Sequence, residues 1–194
     1  MATVDVLIAG HVEETQAGES VHPTVSLVRD GDLVVVVDPG ILSDPALLTG
    51  ALAERGVGVD DVTHVFVTHH HLDHTRNIGM FPTALVVDVD SVYDGSLWLE
   101  HGGDGHHLSD DVYLIETPGH AQECAALVVR TEQGTVVLTH AWWFADMTPE
   151  QDPLAWDQDA LDRSRARILA IADVVVPGHG PAFRPAGNIH RGEN

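Results

Sequence analysis

Thr68-His69-His70-His71-Leu72-Asp73-His74 follows directly on the apolar run Val65-Phe66-Val67. His69, His71, Asp73 and His74 fall in an HxHxDH register, which gathers three imidazoles and one carboxylate within six residues of chain. Imidazole nitrogen suits zinc and other borderline metals, and an aspartate oxygen adds charge that offsets a dication. On a loop leaving a strand, alternate residues can face one ion while the adjacent Asp and His turn to a second. His70 stands between two such residues and is expected to point away from them.

A site of this kind needs ligands from elsewhere in the fold, and three residues qualify because each ends or follows a strand-like segment. They are His120 in Thr117-Pro118-Gly119-His120, His140 in Leu138-Thr139-His140, and His179 in Pro177-Gly178-His179-Gly180. Pro and Gly beside a histidine suggest a tight loop that fixes the imidazole. His11, His22, His64, His101, His106, His107 and His190 show no comparable spacing and read as surface or core residues. His22 is set apart from these, since His22-Pro23 precedes a strand and could border a pocket. Trp142-Trp143-Phe144 follows His140 after Ala141 and reads equally as core or as an apolar wall for substrate.

Composition narrows the classes. The chain has 194 residues, 44% of them hydrophobic, which suits one domain over residues 1–185 with a flexible tail over 186–194. The longest dense apolar run, Leu33 to Val37, is far too short to span a bilayer. Met1-Ala2-Thr3-Val4-Asp5 lacks the basic start of a signal peptide, so the expected location is cytoplasmic. The single Cys124 excludes an intramolecular disulfide and a thiolate-rich metal site. Nine cations, all Arg, stand against 30 acids, for a net charge of −21. Such a surface repels phosphate backbones and argues against a nucleic-acid partner. The missing Lys reads as genomic bias, with adaptation to salt as the second reading.

The elements follow from period and punctuation. Val4–Ala9 reads as a strand, and Thr24–Arg29 with Leu33–Val37 as a hairpin around Asp30-Gly31. Asp44 and Pro45 start a helix that Gly56 stops, with Leu47, Leu48, Ala51 and Leu52 as its apolar stripe. Thr63–Val67 is the strand that delivers the histidine loop, and residues 73–79 open a helix. Ala84–Asp88, Val112–Glu116, Ala125–Arg130, Thr135–Thr139 and Val174–Val176 read as strands, and Glu100–Asp110 as a surface loop. Met147–Asp157 reads as irregular. Asp159–Ala172 reads as a helix with Leu161, Ile168, Leu169 and Ile171 apolar and its Arg residues late, as the helix dipole prefers.

The ordered series THHHLDH, TPGH, a strand-end ligand and PGHG resembles the metallo-β-lactamase superfamily across nearly the whole chain. The closer similarity is to the metallo-β-lactamase domain-containing protein 1 type, carried by Gly79-Met80-Phe81-Pro82, Glu116-Thr117-Pro118-Gly119-His120, Arg163-Ser164-Arg165, and Ala172 through Pro181. The resemblance implies an α+β fold, a four-layer αββα sandwich. It implies that His69, His71 and His120 hold one metal and that Asp73, His74 and His179 hold a second. The metals would be two divalent ions, zinc first, with iron or manganese as the other candidates. Most members bridge the two with an Asp at the end of the later strand, where this chain has His140. A neutral imidazole offers one lone pair and no charge, so the second site is expected to be weakened.

The implied chemistry is hydrolysis by metal-bound hydroxide, with Asp73 orienting the nucleophile and His140 shaping the reaction. A small-molecule ester, thioester, lactone or amide is the expected substrate, with His22, Trp142, Trp143 and Phe144 as substrate-contacting candidates. The alternatives are a phosphodiesterase or RNA nuclease, since the closest-looking relatives are associated with RNA cleavage, a mononuclear iron enzyme of the persulfide-dioxygenase type, and a catalytically impaired subunit that works with a partner. No membrane role is expected, and a homodimer or hetero-oligomer is.

Overall fold

The computed structural model describes residues 1–145 and 151–186. Thirteen strands are described: β1 (Thr3–Ile8), β2 (His11–Thr15), β3 (Gly18–His22), β4 (Val25–Asp30), β5 (Leu33–Val37), β6 (His64–Phe66), β7 (Leu85–Val87), β8 (Ser91–Asp94), β9 (Leu97–Glu100), β10 (Val112–Glu116), β11 (Ala125–Thr131), β12 (Gly134–Leu138) and β13 (Val174–Val176). Helices α1 (Ala46–Ala53), α2 (Leu72–Thr75) and α3 (Gln158–Leu169) complete the set. One sheet runs β1-β4-β5-β6-β7-β8-β9, a second runs β10-β11-β12-β13, and β2 and β3 form a separate hairpin.

The layers follow from side-chain alternation. In β5, Leu33, Val35 and Val37 face the second sheet and Val36 faces α1. In β11, Ala125, Leu127 and Val129 face the first sheet while Ala126 and Val128 face α3. Strands covered on both faces read as unbroken apolar runs, because the period of two then has no polar phase. Three clusters result: one between the sheets, one under α1 and one under α3. This is the αββα sandwich, an α+β fold.

Several boundaries differ from the sequence expectations. On α1 only Leu48 and Leu52 are buried, one turn apart, and Leu47 is 55% exposed. The helix expected over 73–79 is α2 followed by a 3-10 turn at Ile78–Met80. α3 stops at Leu169 and buries Leu161 and Ile168, while Leu169 stays exposed. Asp157 caps it, accepting from Ala160 N at 3.0 Å. The β2–β3 and β8–β9 hairpins are additional to the expected strands. Except for Ala186, the expected flexible tail lies outside the described residues, and so do residues 147–150 of the expected irregular stretch. No helix among the described residues is long and apolar enough to cross a membrane.

The strand ends place the histidines at one edge. β5 pairs with β6 in parallel, as β12 does with β13, so their C-terminal ends open on the same side. The loop after β10 is stapled to α3: Trp156 N donates to His120 O at 3.1 Å, Asp157 N to Gly119 O at 3.0 Å, and Ser164 Oγ to Pro118 O at 2.7 Å. Gly119 (φ 146°) lies so close to the Leu161 backbone that a Cβ would overlap it. Gly119→Ala is therefore expected to cost about 2–3 kcal/mol of stability or to move the His120 loop, read as a fall in the urea midpoint.

Candidate metal centre

β6 leads through Val67 and Thr68 into the histidine loop, and α2 carries Asp73 and His74 just beyond it. His120 enters from the β10–β11 turn, His140 from the end of β12, and His179 from the end of β13. The structure brings all seven of these residues together. One ligand atom from each of His69, His71 and His120 lies within 4.8 Å of the others, and the same holds for Asp73, His74 and His179. A third overlapping trio is His69, His74 and His140.

Four of the six imidazoles have an orienting partner at Nδ1. His74 Nδ1 donates to Asp38 Oδ2 at 2.8 Å, His120 Nδ1 to Asp152 Oδ2 at 2.8 Å, and His179 Nδ1 to the His22 carbonyl at 3.0 Å. Thr68 Oγ1 sits 3.2 Å from His69 Nδ1 and itself donates to Asp38 Oδ2 at 2.7 Å. These contacts fix the tautomer of His74, His120 and His179, leaving the opposite Nε2 of each as a lone-pair donor toward the centre. Across the centre, His120 Nε2 lies 3.2 Å from His71 Nδ1, and His140 Nε2 lies 3.0 Å from His179 Nε2. Asp73 Oδ2 is 3.4 Å from His74 Nε2 and 3.7 Å from His179 Nε2.

These residues fit divalent ions. His69 Nε2, His74 Nε2 and His140 Nδ1 are buried polar atoms with no hydrogen-bond partner. A protein interior rarely keeps such atoms unless another group satisfies them. Charge state agrees: burial drives the pKa of His69 and His140 well below the usual imidazole value, and burial with His74 nearby lowers His179 to about 4. His71 is also lowered, chiefly by desolvation. Neutral imidazoles are the form that binds metal.

Unfolded imidazoles take up protons near pH 6.5, whereas folded His179 does so near 4 and folded His69 and His140 also resist protonation. Between those values the unfolded chain binds more protons, so stability falls as pH drops. Metal-stripped protein is expected to lose urea midpoint progressively from pH 6.5 to 4. A flat profile over that range would contradict the burial of neutral imidazoles.

Two carboxylates that sequence reading missed as functional residues organise the site. Asp38 ends the β5 segment in the left-handed region (φ 48°), is 3% exposed, and accepts from Thr68 N, Thr68 Oγ1 and His74 Nδ1. The only local cue at this position is the turn sequence Asp38-Pro39-Gly40, which marks the end of a strand and not a ligand partner. Asp152 accepts from His120, from Trp143 Nε1 at 3.2 Å and from Leu154 N. It lies in an irregular segment that offers no periodic cue.

The other candidates separate. His70 turns outward to Asp88 at 3.1 Å. Trp142 is a core residue against Phe183 and Arg165, which removes it from the expected substrate wall. Trp143 and Phe144 lie beside the cluster, with ring centroids 6.3 and 6.4 Å from His179. His22 contributes its carbonyl to His179 and its ring to a neighbouring cleft. Gly178 is tied to His140, since a Cβ there would overlap that ring. Cys124, its thiol pushed up to about 12 by burial, accepts from Ala121 N and braces the His120 loop.

An αββα sandwich with an HxHxDH loop and three further strand-end histidines on one edge defines a metal-binding class of enzyme fold. Residues 20–183 match the family described as the Metallo-beta-lactamase superfamily, and the chain belongs to it. It is 41% identical over 157 residues to the human protein named Metallo-beta-lactamase domain-containing protein 1, covering 77% of this chain and 59% of that protein. The chain thus matches less than two thirds of that relative's length. Among solved structures, a putative metallo-beta-lactamase from Thermotoga maritima aligns with a TM-score of 0.73 at 21% identity, covering 95% of this chain and 99% of the other. An N-acyl homoserine lactone hydrolase, solved with N-hexanoyl-L-homoserine at its catalytic metal center, aligns at 0.66 and 16% identity, covering 92% of each.

Proposed function

We propose that the chain is a metal-dependent hydrolase acting on a small-molecule ester, thioester, lactone or amide. The observation that carries this is the convergence of seven His and Asp side chains around three buried, partnerless ring nitrogens. His69, His71 and His120 would hold one dication and Asp73, His74 and His179 a second, with His140 between them. Zinc suits this nitrogen-rich set, and iron or manganese are the alternatives. A bound dication supplies Lewis acidity and brings the pKa of a coordinated water to about 7.

The chain's own groups do the rest. Among the described residues Asp73 is the sole carboxylate within the cluster, with its side chain 20% exposed. It can accept a hydrogen bond from an attacking water and hold the proton that water releases. Asp38, Asp152 and the His22 carbonyl keep the imidazoles in one tautomer. Trp143 and Phe144 give the acyl group an apolar wall and exclude water from that side. The lactone hydrolase of the same fold supports a small acyl substrate, and the charge of −21 weighs against a nucleic acid.

The test is to strip the protein with dipicolinate, reload it with zinc, iron or manganese, and assay lactone, thioester, ester and amide panels beside a single-stranded RNA. Stripping is expected to lower hydrolysis at least about 1,000-fold and one metal to restore it. Equal rates without metal, or RNA as the preferred substrate, would overturn the reading.

A further inference from the structure

A cleft of about 620 Å³ lies between the β2–β3 hairpin and the chain around α1 and α2. Its half-buried floor is aliphatic: Ile8, Val21, Ile41 and Leu42. The His11 and His22 rings meet edge to face in its wall, 4.0 Å between centroids. Leu47, the α1 residue that fails to enter the core, is exposed at its rim together with Arg76.

The cleft abuts the candidate metal centre. The His22 that lines it gives its carbonyl to His179. Arg76 follows His74 by two residues, and the intervening backbone is pinned by Gly40 N donating to His74 O at 3.2 Å and Asn77 N to Gly40 O at 3.1 Å. The cleft and the Asp73, His74 and His179 side of the centre are thus neighbours through His22 and the segment from His74 to Arg76.

Arg76 differs from the other arginines whose ion pairs are described. Arg29 and Arg55 pair with Asp5, Arg165 with Asp162 and Arg167 with Asp104. The Arg76 side chain makes no ion pair or hydrogen bond among the described residues, although Glu19 lines the same cleft. Arg163 and Arg184 likewise show no ion pair among the described residues, and Arg76 is set apart by its place, as the one arginine that lines this cleft. An anion approaching this molecule is repelled at long range, so its binding requires a local cation. The planar guanidinium fork matches carboxylate, phosphate or sulfonate oxygens.

We propose that this cleft is the substrate-binding site for an anionic amphiphile: an acyl ester, thioester or lactone whose aliphatic chain lies on Ile8, Val21, Ile41 and Leu42 and whose separate anionic group is held by Arg76. The substrate part of this proposal rests on the hydrolase reading, while the binding part stands alone. Arg76 is then a specificity-determining residue.

The test uses octane-1-sulfonate and octan-1-ol as probes on the zinc-loaded full chain, by calorimetric titration. A sulfonate is a poor zinc ligand, so its affinity reports the cleft and not the metal. Arg76→Ala is expected to weaken octane-1-sulfonate at least about tenfold, the loss of one charge-assisted contact. Arg76→Lys should retain part of the affinity, and octan-1-ol should bind all three proteins alike. Unchanged sulfonate affinity in Arg76→Ala, or an equal loss for octan-1-ol, overturns the proposal. In a parallel arm, matched p-nitrophenyl esters with and without a terminal carboxylate are hydrolysed, and Arg76→Ala should raise KM for the charged ester alone with kcat little changed. If neither ester is cleaved, the hydrolase reading fails, and the titration still decides the cleft.

Discussion

Asp38→Asn is expected to leave the protein folded and to weaken metal binding about 10- to 100-fold. Asp38 is acceptor to three donors at once, among them His74 Nδ1 at 2.8 Å. An asparagine keeps one carbonyl oxygen, enough for Thr68 N, and turns an NH₂ toward His74. The imidazole then accepts at Nδ1 and carries its proton on Nε2, the buried nitrogen that is otherwise without a partner. A protonated Nε2 cannot ligate. Asp38→Ala removes every acceptor and leaves three buried donors unpaired, at about 1–3 kcal/mol each before relaxation. A competition titration with a chromophoric zinc chelator and a urea melt separate the two variants. The asparagine protein should lose affinity more than stability, and the alanine protein should lose both. If Asp38→Asn binds zinc as tightly as the parent, Asp38 does not set the His74 tautomer.

Asp38 also shows where sequence reading stops. His69, His71, Asp73 and His74 are close in the chain, so spacing alone groups them. His120 and His179 carry Pro-Gly contexts and could be placed on rigid loops. Asp38 and His74 are 36 residues apart, and nothing local to either announces the contact. Only the parallel pairing of β5 with β6 puts the end of one strand beside the loop of the next. Asp152 is 32 residues from His120 and meets it through an irregular segment.

The fold was legible wherever burial on two faces wrote apolar runs, as in β5 and β11. It was illegible where strands face solvent. β2 and β3 pair His11 with His22 and Glu14 with Glu19, mostly polar and exposed, so no apolar period marks them. For β8 and β9 a signal existed: Asp94-Gly95, with Gly95 at φ 58°, is a hairpin dipeptide between Val92-Tyr93 and Leu97-Trp98. The unrecognised β2–β3 hairpin also forms one wall of the Arg76 cleft, so the substrate side of the site was hidden with it.

His140→Asp is expected to raise the number of tightly held dications from one to two, on the proposal that the missing bridging carboxylate weakens the second site. His140 stands in the middle of the cluster, with ring centroids 4.4 Å from His69, 4.2 Å from His120, 4.8 Å from His74 and 5.0 Å from His179. It is 3% exposed, and burial holds it neutral. Among the described residues the two clusters then carry one carboxylate, Asp73, so two dications would leave a formal charge of +4 − 1 = +3 among these ligands. Like charges in a buried site repel strongly, because the surroundings screen them far less than water does. An aspartate lowers the sum to +2 and presents two oxygens where the imidazole presents one lone pair. Zinc per protein, measured after dialysis at micromolar free metal, should rise from about one to two, and the second binding event should strengthen at least about 100-fold. His140→Ala separates charge from bulk, since it removes the ring and adds no carboxylate. Its stoichiometry should stay at or below that of the parent. Two tightly bound ions in the parent would show that the clusters tolerate the missing carboxylate, with Asp38 and Asp152 supplying the compensation through the ligands they orient. Equal gains in the alanine and aspartate variants would assign the weak second ion to the volume of the imidazole instead of its missing charge.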